Sequence, residues 1–264
     1  MGRWFRDFFS GAGHKVLVSG RKTEITYTDI IKECDAVILS VPLDAAIEIS
    51  GQIGPLMREG QLLMDLCSLK EAVVKNMFDN TQADVIGTHP LFGPFTESIK
   101  GQNVIFCKGR GEYWLKWLED EYTSKGAVVS LMDSALHDRH MAIVQGLTHF
   151  LSICLGRTLQ KMNMSNNTVL SSSTPVFKIN YDLIGRLFAQ DLVLYQSLIS
   201  KNVHFSDVLE LFLSVVDEGR DSLLSGHDEK GILFLESVRE FFKDSCLDSL
   251  KESNKLISVL YDEQ

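Results

Sequence analysis

Between residues 36 and 94 the chain runs AVILSVP, LLMDLCSLK and DVIGTHPLFGP, three short apolar runs that each end in a polar tip. Four to six consecutive apolar, largely β-branched residues predict a strand covered on both faces, which is the habit of parallel sheets flanked by helices. In open sheets of that kind ligands gather outside the carboxyl ends of the strands. Ser40, Ser68, Lys70 and His89 stand at those ends and are expected to converge on one crevice.

The first half alternates strand and helix patterns. Strands are expected at 15–19, 36–41, 61–66, 84–88, near 103–107 and at 127–130, with helices at 3–9, 27–33, 44–57 and 70–78. Alternation predicts a parallel, doubly wound α/β sheet over residues 1–132. From about Ser134 the pattern changes: HDRHMAIVQGLTHFLSICLGRTLQKM keeps apolar residues at helical spacing, and all that follows reads as helix. Residues 133–264 are therefore expected to form an all-helical domain. A long apolar helix in so small a domain finds cover most readily on its copy in a second subunit, which predicts a homodimer.

Composition narrows the function classes. The chain has 264 residues, is 45% hydrophobic and carries a net charge of -9, enough apolar content for a full core. The charge disfavours nucleic acid as partner and leaves a small anionic substrate open where cations are concentrated locally. No apolar stretch approaches the length of a membrane span and no signal segment opens the sequence, so the expected location is the cytoplasm. Five cysteines without CxxC spacing predict buried thiols rather than a disulfide framework or a metal site.

The amino terminus departs from the usual dinucleotide plan. Residues 3–9 read as a helix, yet the strand and GxGxxG turn that should precede it are absent, and only Gly2 can stand for the last glycine. Two readings stay open: the chain binds no dinucleotide, or Met1 is an internal methionine and the reading frame extends upstream. At the tip of the next expected strand, Ser19, Gly20, Arg21 and Lys22 occupy the place of the ribose-reading residue. An acid there would suit NAD; Arg and Lys suit the 2′-phosphate of NADP.

MGRWF, VILSVP, DLCSLK, GTHPLFGP, HDRHMAIVQGLTHF, SSSTPVFK and GRLFAQD, in this order over nearly the whole chain, resemble the prephenate dehydrogenase family, which includes the arogenate dehydrogenases. The resemblance implies a Rossmann-like domain followed by a helical dimerisation domain. It implies oxidative decarboxylation of prephenate to 4-hydroxyphenylpyruvate in tyrosine biosynthesis, with hydride passing to NADP or NAD. His89 matches the histidine that accepts the hydroxyl proton, a task for a neutral imidazole. Ser68 matches a serine that hydrogen-bonds this histidine, and also reads as the N-cap of helix 69–78. Arg186 matches the arginine that forks onto the ring carboxylate and is expected to point inward. Lys178 stands where relatives carry a second basic residue, and His149 matches a histidine lining the substrate pocket. Gly2, Ser19, Arg21, Ser40 and Pro42 are the expected cofactor contacts. Lys70 reads as an exposed first-turn lysine, and Asp138 as a ligand group or a partner of its own helix amino terminus.

Two rival readings accompany this one. A β-hydroxyacid dehydrogenase would need a lysine four residues after the glycine of the long helix, but Phe150 stands there after Gly146. A catalytically impaired helical dimer with a decayed nucleotide site would not be expected to retain His89, Ser68 and Arg186 together. Arogenate in place of prephenate stays open.

Overall fold

The structure, a computed structural model, describes residues 1–224 and 226–262, and side chains as far as residue 260. The chain divides into two compact units, Met1–Met141 and Ala142–Gln264.

The first unit is α1 (Gly2–Gly11), α2 (Tyr27–Glu33), β1 (Ala36–Leu39), α3 (Leu43–Ile53), β2 (Leu62–Asp65), α4 (Glu71–Asn80), β3 (Asp84–Pro90), β4 (Asn103–Arg110), α5 (Glu112–Thr123), β5 (Val128–Leu131) and α6 (Ser134–Met141). The sheet order is β1-β2-β3-β4-β5. β1, β2 and β3 run parallel, β4 is antiparallel to β3, and β5 is parallel to β4. The expected all-parallel sheet is thus corrected at its last two strands, β4 and β5, which run against β1, β2 and β3. Residues 91–102, between β3 and β4, contain no helix, so the chain lacks the crossover a parallel return requires and doubles back instead.

Successive residues of the inner strands point to opposite faces. On one face Val37, Leu39, Leu63 and Val85 pack with Ala46 and Ile53 of α3 and Val73, Val74 and Met77 of α4. On the other, Leu62, Met64, Ile86 and Phe106 meet Phe5 and Phe9 of α1 and Trp114, Leu118 and Tyr122 of α5. Burying side chains of this size is worth about 1.5–3 kcal/mol each. α2 begins with a reciprocal cap, in which Thr26 Oγ1 accepts from the Asp29 N–H and the Asp29 carboxylate accepts from the Thr26 N–H at 2.9 Å.

The strand expected at 15–19 does not form. Its apolar sequence pairs with no strand among the described residues, and the free edge of β1, whose other side pairs with β2, is left unfilled. Between residues 14–21 and β1 lies a cavity of about 690 Å³.

The second unit is helical among its described residues: α7 (Thr148–Lys161), α8 (Asn166–Ser171), α9 (Pro175–Phe188), α10 (Leu192–Ser200), α11 (Phe205–Leu223), α12 (Asp228–Phe242) and α13 (Ser245–Asp262). The helix expected from residue 137 onward includes a π-helical stretch, Ala142–Leu147, between α6 and α7. α6 belongs to the first unit, nine residues beyond the boundary at 132/133 drawn from pattern, because Met141 enters the core under α3 and α4. The buried core of the second unit is small, Leu187, Tyr195 and Leu198 with Ile153 against them. α7 buries none of its residues fully. The architecture is a Rossmann-like α/β unit followed by a helical one.

All five cysteines are free thiols. Cys67 and Cys107 are buried, Cys34 is half-buried, and Cys154 and Cys246 are exposed, which corrects the expectation of five buried thiols. Burial raises the pKa of Cys67 and pushes that of Cys107 up to about 12.

Candidate functional site

β3 carries His89 to the carboxyl end of the sheet, where the ring is 2% exposed. Its environment is set by α4 and α6. α4 lies close on β3 because Gly87 has no side chain: a Cβ there would stand 2.4 Å from Val74 Cγ2 and 3.1 Å from Lys70 Cδ. That close approach threads Lys70 beneath the strand ends. Its ammonium pairs with the Asp65 carboxylate and donates to the Thr88 carbonyl at 2.9 Å. Lys70 is completely buried, so the expected exposed first-turn lysine is corrected. The alkyl stem passes through apolar surroundings and the charge is neutralised by a partner on β2. Asp65 also accepts from the Cys67 N–H at 2.8 Å, and Thr88 Oγ1 donates to the Asp65 carbonyl at 2.5 Å.

The amino terminus of α4 is closed by a residue from far along the chain. Asp138 of α6 accepts from the backbone N–H of Lys70 at 2.8 Å and of Glu71 at 3.0 Å. An anion at this position also meets the positive end of the helix. Ser68, expected as N-cap of helix 69–78, does not serve it, because α4 starts at Glu71 and its N-cap residue is Lys70. Asp138 further lies 2.7 Å from His137 Nδ1, and His137 Nε2 lies 2.9 Å from His89 Nδ1. The partner found at His89 Nδ1 is therefore His137. Burial, to which the nearby Lys70 charge adds, holds the His89 pKa well below the ordinary histidine value. The ring is neutral at pH 7, the form a proton acceptor needs.

The five expected cofactor residues, Gly2, Ser19, Arg21, Ser40 and Pro42, all border the cavity beside β1. At Gly2 a Cβ would come within 3.2 Å of Ser40 Oγ, so α1 starts against the tip of β1. No acid stands in the first turn of α1, and Arg3 borders the same cavity. A helix amino terminus without an acid, with Arg3 in its first turn, fits a dinucleotide pyrophosphate. Ser19 Oγ donates to the Ile25 carbonyl at 2.6 Å and shapes the turn that holds Arg21. Val16, Leu17, Ile38, Met64 and Trp117 also line the cavity. His89, Ser68 and Lys70 do not line this cavity; Lys70 and His89 are buried beside the ends of β2 and β3, and Ser68 is half-buried.

In the helical unit His149 of α7 packs its ring edge-on to Tyr195 of α10, with centroids 4.9 Å apart. Burial lowers the His149 pKa. Burial raises that of Tyr195, and the Arg186 charge partly opposes it. Arg186 lies in the last turn of α9 and is exposed, so the inward side chain expected from its apolar neighbours is corrected. Lys178 pairs with Asp182 one turn along α9, at 2.6 Å. Sequence reasoning did not single out Asp65, His137 as a partner of His89, or Tyr195. An acid inside an otherwise apolar strand, followed five residues later by lysine, was the available sign of the first.

Among the described residues no helix is long and apolar enough to cross a membrane, and no cluster of acidic, histidine and cysteine side chains could hold a metal ion.

Residues 14–131 match the family model described as the prephenate dehydrogenase nucleotide-binding domain, and residues 133–237 the one described as the prephenate dehydrogenase dimerization domain. The chain is 29% identical over 263 residues to the T-protein of Haemophilus influenzae, covering 99% of this chain and 70% of that protein. It is 29% identical over 282 residues to a probable arogenate/prephenate dehydrogenase of Methanocaldococcus jannaschii, of whose length it spans 63%. In fold it is similar to prephenate dehydrogenase from A. aeolicus, crystallised with hydroxyphenyl propionate and NAD+, at TM-score 0.68 and 20% identity over 81% of this chain and 78% of that one. It is also similar to Synechocystis arogenate dehydrogenase, at TM-score 0.62 and 14% identity over 83% and 81%. With both of its units matched in order, the chain belongs to the prephenate dehydrogenase family.

Proposed function

We propose that the chain catalyses the oxidative decarboxylation of prephenate to 4-hydroxyphenylpyruvate, with NAD(P)+ as oxidant, in tyrosine biosynthesis. The observation that carries this reading is His89: a neutral, buried imidazole at the carboxyl end of β3, hydrogen-bonded at Nδ1. When bound, the oxidised nicotinamide supplies the acceptor for the hydride. His89 takes the proton of the substrate's ring hydroxyl as that carbon is oxidised; the ring carboxylate leaves as carbon dioxide, its bonding electrons complete the aromatic ring, and the resulting phenolate takes the proton back, which restores neutral His89. Arg186 is the residue proposed to hold the ring carboxylate, and His149 to line the substrate pocket. Lys178, paired with Asp182, is proposed to serve a second carboxylate.

For the cofactor, Gly2 and the start of α1 are proposed to hold the pyrophosphate, and Ser19 and Arg21 the adenosine ribose. Arg21 in place of an acid supports NADP over NAD. Ser40 and Pro42 are proposed to stand against the nicotinamide half. The NAD+ in the A. aeolicus complex supports a nicotinamide cofactor, and its hydroxyphenyl propionate shares a hydroxyphenyl ring and a three-carbon acid with the proposed product.

The homodimer is supported by the description of the second family model and by the large apolar side chains the helical unit leaves exposed, among them Leu211, Leu213 and Val216 of α11 and Phe241 of α12. Turnover of prephenate and of arogenate, each with NAD+ and NADP+, tests the proposal. Product formation from prephenate supports it; turnover of arogenate alone replaces the substrate, and turnover of neither removes the activity.

A further inference from the structure

His89, His137 and Asp138 form a line of three side chains that ends on the backbone of α4. The direction of its hydrogen bonds follows from that end. Asp138 accepts two backbone N–H groups, from Lys70 and Glu71, and its Oδ1, 2.7 Å from His137 Nδ1, can only accept there as well. His137 Nδ1 therefore carries the proton and donates. In a neutral ring Nε2 is then the acceptor, and at 2.9 Å it faces His89 Nδ1. His89 Nδ1 must then be the protonated nitrogen, and the lone pair falls on Nε2. The reverse polarity needs protons on both nitrogens of His137 and so places a net charge on a ring with no exposed surface, whose counter-charge, the Asp138 carboxylate, is already shared with the Lys70 and Glu71 N–H groups.

We infer that His137 is a positioning residue, which, with Asp138, fixes His89 as the Nδ1–H tautomer and so makes Nε2 the atom that receives the substrate proton. This rests on the proposed function for its consequence and on geometry alone for the tautomer. His137 does not meet substrate. It sets which nitrogen of His89 is a base, and Asp138 couples that choice to the amino terminus of α4, so that one carboxylate holds the helix and orients the relay. A His89 ring protonated at Nε2 would offer a donor where the reaction needs an acceptor. Loss of the correct tautomer in enzymes of comparable logic costs roughly 10⁴ in rate.

The test compares His137→Gln with His137→Leu in the full chain and reads the tautomer directly. Glutamine can donate to Asp138 through its amide nitrogen and accept from His89 through its oxygen, and so preserves the polarity; leucine fills the space and cannot. The expected result is a kcat for His137→Leu lower by roughly 10²–10⁴, a kcat for His137→Gln within ~10-fold of wild type, and a KM for prephenate little changed in both. In ¹⁵N–¹H ring correlation spectra of the ¹⁵N-histidine-labelled wild type, the His89 signals, identified by their loss in His89→Asn, should show the proton on Nδ1. A proton on Nε2, or equal kcat for the two His137 variants, overturns the inference. Should His137→Leu not fold, the wild-type spectrum decides alone. If the wild type turns over neither prephenate nor arogenate, the functional reading has failed, and the spectrum still decides the tautomer.

Discussion

Lys70 and Asp65 form an ion pair in which both side chains are wholly buried, one from the start of α4 and the other from the end of β2. The pair lies under the strand ends that carry Thr88 and His89. Removing one member leaves the other charge in a sealed site, so Lys70→Met is expected to destabilise the chain by about 3 to 5 kcal/mol. Lys70→Met combined with Asp65→Leu should recover much of that loss, since no charge is then stranded. Urea unfolding midpoints measure both; a single variant within 1 kcal/mol of wild type by the usual mutational scale would mean the pair is not sealed.

His89→Asn should lower kcat by roughly 10²–10⁴ with little change in KM, because the base acts only as the hydroxyl proton leaves. A variant with near-normal kcat would remove His89 from the reaction.

The lowered pKa of His89 also makes a stability prediction. As pH falls below the ordinary histidine value of about 6.5, the unfolded chain takes up this proton before the folded one does. The stability present above that pH is therefore lost progressively as pH falls toward the folded pKa. The melting temperature of wild type should fall more steeply from pH 7 to pH 5 than that of His89→Asn, in which this group is absent; parallel slopes would contradict the burial argument.

Arg186→Ala should raise the KM for prephenate by about tenfold or more, the equivalent of 1.4 kcal/mol, and leave the cofactor Kd unchanged. Arg186→Lys should recover only part of the loss, since an ammonium cannot fork onto a carboxylate. A KM within twofold of wild type would move the carboxylate to another group, with Lys178 next in line.

The cavity between residues 14–21 and β1 is lined by Val16, Leu17 and Ile38 and borders the unpaired edge of β1. We propose that it is the place of a further strand. A chain extended upstream of Met1 by about 10 to 15 residues, carrying an apolar strand and a glycine turn, should fill it. Such a chain is expected to bind NADP or NAD more tightly and to melt at a higher temperature. Equal cofactor affinity with and without the extension would show that the cavity needs no strand.

Much of the first unit was legible in the sequence because the signals are local. AVIL, LLMD and DVIGTHP carry their strand periodicity and burial within themselves, and the polar tip follows from where each run stops. His89 and Ser40 could be placed at strand ends for that reason, and the change to helical spacing after Ser134 marked the second fold type. The expected cofactor contacts Gly2, Ser19, Arg21, Ser40 and Pro42 each follow from their position relative to a strand or helix, and the structure gathers them around one cavity.

What the tertiary structure alone decided are the pairings between distant segments. KVLVS has the composition of a strand, but a strand exists only where a neighbour accepts its hydrogen bonds, and none lies beside it. The direction of β4 depended on the absence of a crossover helix. Lysine at position 70 reads as exposed until Asp65 and Thr88 are found within its reach, and the cap of α4 comes from Asp138, 68 residues away. A charge is buried, a helix end closed or an imidazole tautomer chosen by the groups that meet it in space, and sequence distance says nothing about which groups those are.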